Sequence, residues 1–289
     1  MRFTEIGQQL RAYRLESGLR AEEIAARLGV SRAALYRYEK GEVIKLDTIN
    51  RLAELLKISP LSLLGIGVEY YNRPVGYLER MRQLEETADQ ILVMHGPVSY
   101  LNTSDAYDTA LAQAFEEATE GQPAQRASTE QVLGIMTARK RMYTQRRPGI
   151  ICMIAMSRLQ QFLTDGVAAG IALSDRTRQL CRKVAIAEVE NIAGLMEAEP
   201  MGLQFGLLPM TEPTGGFKIL RARDRASLAV NPFRTDAHPA APSGVAMITG
   251  ADEAIAAHQR VAEAQWREAL KGAPAAARVR QLLAEHPLS

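Results

Sequence analysis

Arg32, Ala33, Tyr36 and Arg37 fall within two turns of one another, on one side of a helix if that stretch is helical. An arginine reaching a guanine edge can donate two hydrogen bonds, worth about 1–3 kcal/mol of discrimination between bases. Arg20, Ser31, Lys40 and Lys45 lie where neighbouring elements begin or end. Side chains so placed suit contacts to phosphates, which give affinity and register without sequence information. A second set could hold a small molecule: Tyr100, Tyr107, Arg139, Tyr143 and Phe217, in a chain with only 6% aromatic residues. Pockets are mostly apolar, with a few placed polar groups. The basic run Arg139, Lys140, Arg141, Arg146, Arg147 reads first as a solvated helix face favoured by the dipole, and second as a site for an anion.

These side chains need helices to hold them. Ile6, Leu10 and Leu15 mark a first helix ended by Gly18, and a second runs over 21–28 to Gly29. Ser31 is a good N-cap for a third, stopped near Lys40 by Gly41. Ile49, Leu52, Ala53 and Leu56 give a fourth helix one apolar face, and Pro60 opens a short fifth. Ala25 is small where the second and third helices must cross, Gly29 permits the tight turn, and Val30 and Leu35 pin the third helix down. That is helix-turn-helix spacing.

At these residues the chain resembles the XRE, or phage-repressor-like, helix-turn-helix family, over residues 5–64. The likeness includes Glu39-Lys40-Gly41 and a closing Leu56-Lys57-Ile58-Ser59-Pro60. It implies a DNA-binding transcription regulator working as a homodimer on a double-stranded operator. It also implies that Arg14 pairs with Glu39, and that Arg32, Ala33 and Arg37 occupy base-reading positions. Ala21 and Ala33 stand where many members carry a hydrogen-bonding side chain. Further on, Leu84 to Ile91, Gly96 to Tyr107, Ala138-Arg139-Lys140, Leu207-Leu208-Pro209 and Gly216 to Leu220 resemble the C-terminal domain of streptomycete XRE regulators, which implies sensing or partner binding.

Residues 68–289 alternate helical patterns (77–90, 106–118, 130–146, 175–197, 251–270) with short apolar runs (91–94, 150–154, 203–208, 217–220, 228–230, 245–248). The expected fold is an all-α five-helix domain followed by a mixed α/β (α+β) domain, with the last four runs forming an antiparallel meander. The expected boundaries are 1–66 for the DNA-binding domain, 67–74 for a linker carrying on from Gly65 and Gly67, and 75–289 for the sensor. The stretches 121–128 and 235–243 read as loops.

Composition bounds the rest. The chain has 289 residues, 47% hydrophobic, with 35 Lys+Arg against 33 Asp+Glu. The net +2 argues against a nucleic-acid binder until it is divided: residues 1–65 hold 11 basic and 8 acidic side chains, and the remainder 24 and 25. The longest apolar run, 150–156, is far too short to span a membrane, and Met1-Arg2-Phe3-Thr4-Glu5 does not open a signal peptide. A cytoplasmic protein is therefore expected. Cys152 and Cys181 lack metal or disulfide spacing, the four histidines are scattered, and there is no phosphate-binding loop motif. Enzyme chemistry, metals and cofactors are thus not expected. A small-molecule effector is the leading expectation for the second domain, with an antitoxin-like repressor that captures a protein partner as the alternative.

Overall fold

The structure, a computed structural model, describes residues 3–94, 96, 99–209, 215–233 and 244–286; the loop expected at 235–243 lies outside them. Five helices open the chain: α1 (Phe3–Ser17), α2 (Ala21–Leu28), α3 (Arg32–Glu39), α4 (Leu46–Leu56) and α5 (Pro60–Leu63). Gly29 ends α2 at φ +70°, a conformation only glycine takes freely. Ser31 caps α3 by accepting from the Ala34 N–H at 3.1 Å. Leu10, Ile24, Leu35, Leu52 and Leu63 are wholly buried and form the core of this bundle. Gly7 allows α1 to cross the end of α3 at backbone distance, because a Cβ there would lie 2.5 Å from the Tyr38 carbonyl oxygen.

The second unit is built on a seven-stranded sheet of β1 (Val68–Tyr71), β2 (Gln90–Met94), β3 (Gly149–Ala155), β4 (Leu203–Leu208), β5 (Phe217–Ala222), β6 (Arg225–Val230) and β7 (Ala246–Thr249), in the order β1-β7-β6-β5-β2-β3-β4. Strands β2, β3 and β4 are parallel. Parallel neighbours need long crossovers, supplied by α7 (Asp105–Ala118) and α8 (Pro123–Arg146), then by α9 (Met156–Asp165) and α10 (Asp175–Ala198). Strands β5, β6 and β7 form an antiparallel meander that β1 extends. Alternation along the strands sends Ile91, Val93, Ile150, Cys152, Phe205 and Leu220 into the main core. That core includes buried residues of α6 (Pro74–Thr87), α7 to α10, and α12 (Gly272–Ala284). Met94, Met153, Leu208, Ile219 and Leu228 point the other way and pack with α11 (Asp252–Glu268). The chain is therefore a helical N-terminal region followed by an α+β domain.

Several local expectations need correction. The stretch expected as a linker, 67–74, holds β1 and the start of α6. Val68 pairs with Thr249 and Tyr71 with Ala246. A four-residue edge strand that buries a glutamate looks polar in sequence. Helix α8 begins at Pro123, so most of the loop expected at 121–128 is helical, with proline at the position where its missing N–H costs nothing. Helices α9 and α12 were not anticipated. Only three of the four late strands make the meander, because β4 pairs in parallel with β3.

The two units share a packed joint. Glu69 of β1 accepts from Gln9 of α1 at 2.9 Å, from the Tyr71 hydroxyl at 2.6 Å and from Arg80 of α6 at 2.9 Å. Glu16 of α1 accepts from the backbone N–H groups of Asn72 and Arg73 at 2.7 and 3.0 Å. A carboxylate there satisfies donors at the start of α6 and complements its dipole. Tyr13 of α1 stacks on Tyr71 with ring centroids 5.3 Å apart.

Candidate nucleic-acid interface and ligand cavity

Helix α3 buries Ala34, Leu35 and Glu39 and leaves Arg32, Ala33 and Arg37 exposed, with Tyr36 half-buried. Ala25 is buried at the crossing of α2. Glu39 is held by Arg14, whose Nε and Nη2 donate to its two carboxylate oxygens at 2.5 and 3.1 Å. This pair ties α3 to α1 across the core. Gly41, at φ +96°, lets the chain leave α3 against Thr4. The exposed arginines are already engaged. Arg32 meets Glu22 at 2.6 Å and lies over the Tyr36 ring, while Arg37 meets Glu42 at 2.9 Å. Arg20 precedes α2, Ser31 and Lys40 bracket α3, and Lys45 precedes α4, all exposed. They flank the α3 face that a major groove would receive.

The family model of the helix-turn-helix domain matches residues 5–63. This helix-turn-helix domain supports a DNA-binding regulator, and its span coincides with α1 to α5. No curated protein matches the chain. Among the described residues, no helix is long and apolar enough to cross a membrane, and no group of three or more His, Cys, Asp or Glu is placed to hold a metal ion.

The α+β domain contains a cavity of about 460 Å³ at the carboxyl end of the parallel strand β2, where its other neighbour, β5, runs antiparallel. Open α/β sheets commonly place ligands outside the carboxyl ends of their parallel strands. Tyr100, Tyr107, Arg139 and Phe217 all line this cavity. Tyr143 does not; it is half-buried against the main core elsewhere on α8. Arg139 is not part of a solvated face. It is 2% exposed, and its guanidinium grips both oxygens of the wholly buried Glu85 at 2.7 Å. Lys140 is half-buried and meets Asp108 at 2.6 Å, whereas Arg141, Arg146 and Arg147 are exposed.

Sequence reading missed Lys218, Tyr77 and Phe233, which also line the cavity. Lys218 had a signal: it occupies an inward position in an otherwise apolar strand run. Burial opposes ionisation of Glu85, but Arg139 and then Lys218 outweigh it and hold its carboxyl below the ordinary carboxylate range. Burial, reinforced by Arg139, pushes the Lys218 ammonium down, and Glu85 offsets this only in part. Burial likewise drives the Cys152 thiol up to about 12 and Cys181 to about 11, so both stay protonated and inert as nucleophiles.

Aromatic rings connect the cavity to the DNA-binding unit. Phe233 and Tyr77 of the wall pack edge-to-face at 5.9 Å, Tyr77 meets Tyr71 at 6.5 Å, and Tyr71 stacks on Tyr13 of α1.

Proposed function

We propose that this protein is a non-enzymatic transcription regulator of the XRE type that binds its operator as a homodimer and is controlled by a small molecule in the α+β cavity. The observation that carries the reading is the junction itself. The cavity wall at Tyr77 and Phe233 reaches α1 in successive ring contacts, and α1 holds α3 through Arg14 and Glu39. A ligand that favours one packing of this chain of rings shifts the DNA-binding unit by its differential affinity for the two states. The dimer supplies two α3 helices, and hence two half-sites about one helical turn apart. Arg32 and Arg37 read bases beside Ala33 and Tyr36, while Arg20, Ser31, Lys40 and Lys45 hold phosphates.

Selection from a random-sequence DNA duplex library tests this reading. Two related half-sites are expected from the full chain, and light scattering of the complex should give two chains per duplex. Failure to enrich any sequence contradicts the regulator, and one chain on an asymmetric site contradicts the dimer. A protein-controlled repressor is the competing outcome. It would copurify with a stoichiometric partner and show no change in melting temperature with any small molecule.

A further inference from the structure

Among the described residues, the cavity wall carries a cation that its neighbours neutralise only in part. Arg139 is fully matched by Glu85, with both hydrogen bonds at 2.7 Å. Lys218 shares that same carboxylate but stands 3.7 Å from it, beyond hydrogen-bond distance. Its side chain keeps 22% of its exposure and forms part of the cavity wall. On the same wall Tyr77, 2% exposed, has a buried hydroxyl with no hydrogen-bond partner among the described residues. A withdrawn ammonium held only by a shared carboxylate at 3.7 Å, and a buried hydroxyl with no partner among the described residues, are costly to maintain, and native interiors rarely leave them so. Arg158 and Asp165 also line the cavity and add one charge of each sign, so the described wall together with Glu85 keeps a net single positive charge. The remaining wall is largely apolar and aromatic, with Val93, Phe162, Phe217 and Phe233 among it.

We propose that the cavity takes a singly charged, aromatic organic acid whose anionic group meets Lys218 while Tyr77 donates a further hydrogen bond to it. This assignment rests on the reading of the cavity as an effector site and specifies its ligand class. One net positive charge calls for one negative charge. A polyphosphate would bring several, more than that net charge balances. The volume suits a molecule of drug-like size.

The test compares anilinonaphthalene sulfonate with its neutral counterpart, N-phenylnaphthylamine, by fluorescence titration of the full chain. The sulfonate is expected to bind once per chain and more tightly than the neutral probe. Lys218→Met should weaken the sulfonate about 10- to 100-fold, the loss of one charge-assisted hydrogen bond, and leave the neutral probe unchanged. Lys218→Arg should restore much of that loss. Melting of the ligand-free proteins separates this role from a structural one. Glu85 is already matched by Arg139 and neutralises Lys218 only in part, so Lys218→Met should be as stable as the parent or more so. A lysine needed only to support Glu85 would instead lower the melting temperature and leave sulfonate binding intact, which overturns the proposal. Equal binding of the two probes, or preference for the neutral one, overturns the acid class and leaves the effector reading standing. Binding of neither probe overturns both.

Discussion

Arg32 and Arg37 each meet a carboxylate before they can meet a base, Glu22 at 2.6 Å and Glu42 at 2.9 Å. Exposed pairs of this kind contribute little, whereas a bidentate contact to guanine contributes substantially, so on the proposed reading DNA displaces the carboxylates. Arg32→Ala or Arg37→Ala is expected to weaken operator binding roughly 5- to 150-fold and relax one base position, measured by fluorescence anisotropy. Glu22→Gln and Glu42→Gln should tighten binding, because each removes a competitor and a repulsion with phosphate. In the interior the balance reverses. Glu85→Gln leaves the buried Arg139 and the half-buried Lys218 without their shared anion and should cost about 3–5 kcal/mol in urea unfolding at neutral pH. The folded state holds the Glu85 carboxyl below its unfolded value of 4.5, so its contribution is complete above that value. It is lost as pH falls through the lower folded value, and the gap between parent and variant should close in acid. The exposed arginines were legible because charge and spacing announce a helix face. Glu69 and Glu85 were not, since sequence shows a charge but not the partner that permits its burial.

Among the elements, those with sharp termini were the easiest to read. Gly18, Gly29, Ser31 and Gly41 punctuate the first helices with residues that a turn or cap requires. Helix α9 follows β3 with no break, Ala155 closing the strand and Met156 opening the helix, so an unbroken apolar run conceals the change. Helix α12 starts at Gly272 and carries a proline in its first turn, features that read as loop. Strand β1 is short and buries Glu69, and its identity depends on β7, far away in sequence. Gly7→Ala drives a methyl group to within 2.5 Å of the Tyr38 carbonyl oxygen and 2.6 Å of that of Glu39. Overpacking of this kind should cost about 1–3 kcal/mol in urea unfolding, and it should also weaken operator binding by displacing α3.

Across the whole molecule, the joint between the two units distinguishes this chain from a DNA reader tethered by a free linker. Gln9, Glu16 and Tyr13 of α1 engage Glu69, the Asn72–Arg73 backbone and Tyr71 in the sheet domain. Arg225 of β6 reaches Glu5 at 2.7 Å. The near-neutral +2 of the chain, read by itself, had suggested neither the basic reader nor its fixed attachment. Such a joint predicts that Tyr71→Leu leaves an intact α3 face and an intact cavity but uncouples them, so that a cavity ligand no longer alters operator affinity in anisotropy titrations. Coupling between sites is reciprocal, so under the proposed control by a cavity ligand DNA acts on the cavity in turn. Hydrogen–deuterium exchange of the full chain, with and without the selected operator, tests this most directly. Altered exchange is expected in α3 and also in α6, β1 and the cavity-lining end of β5. Changes confined to α2 and α3 would contradict the account.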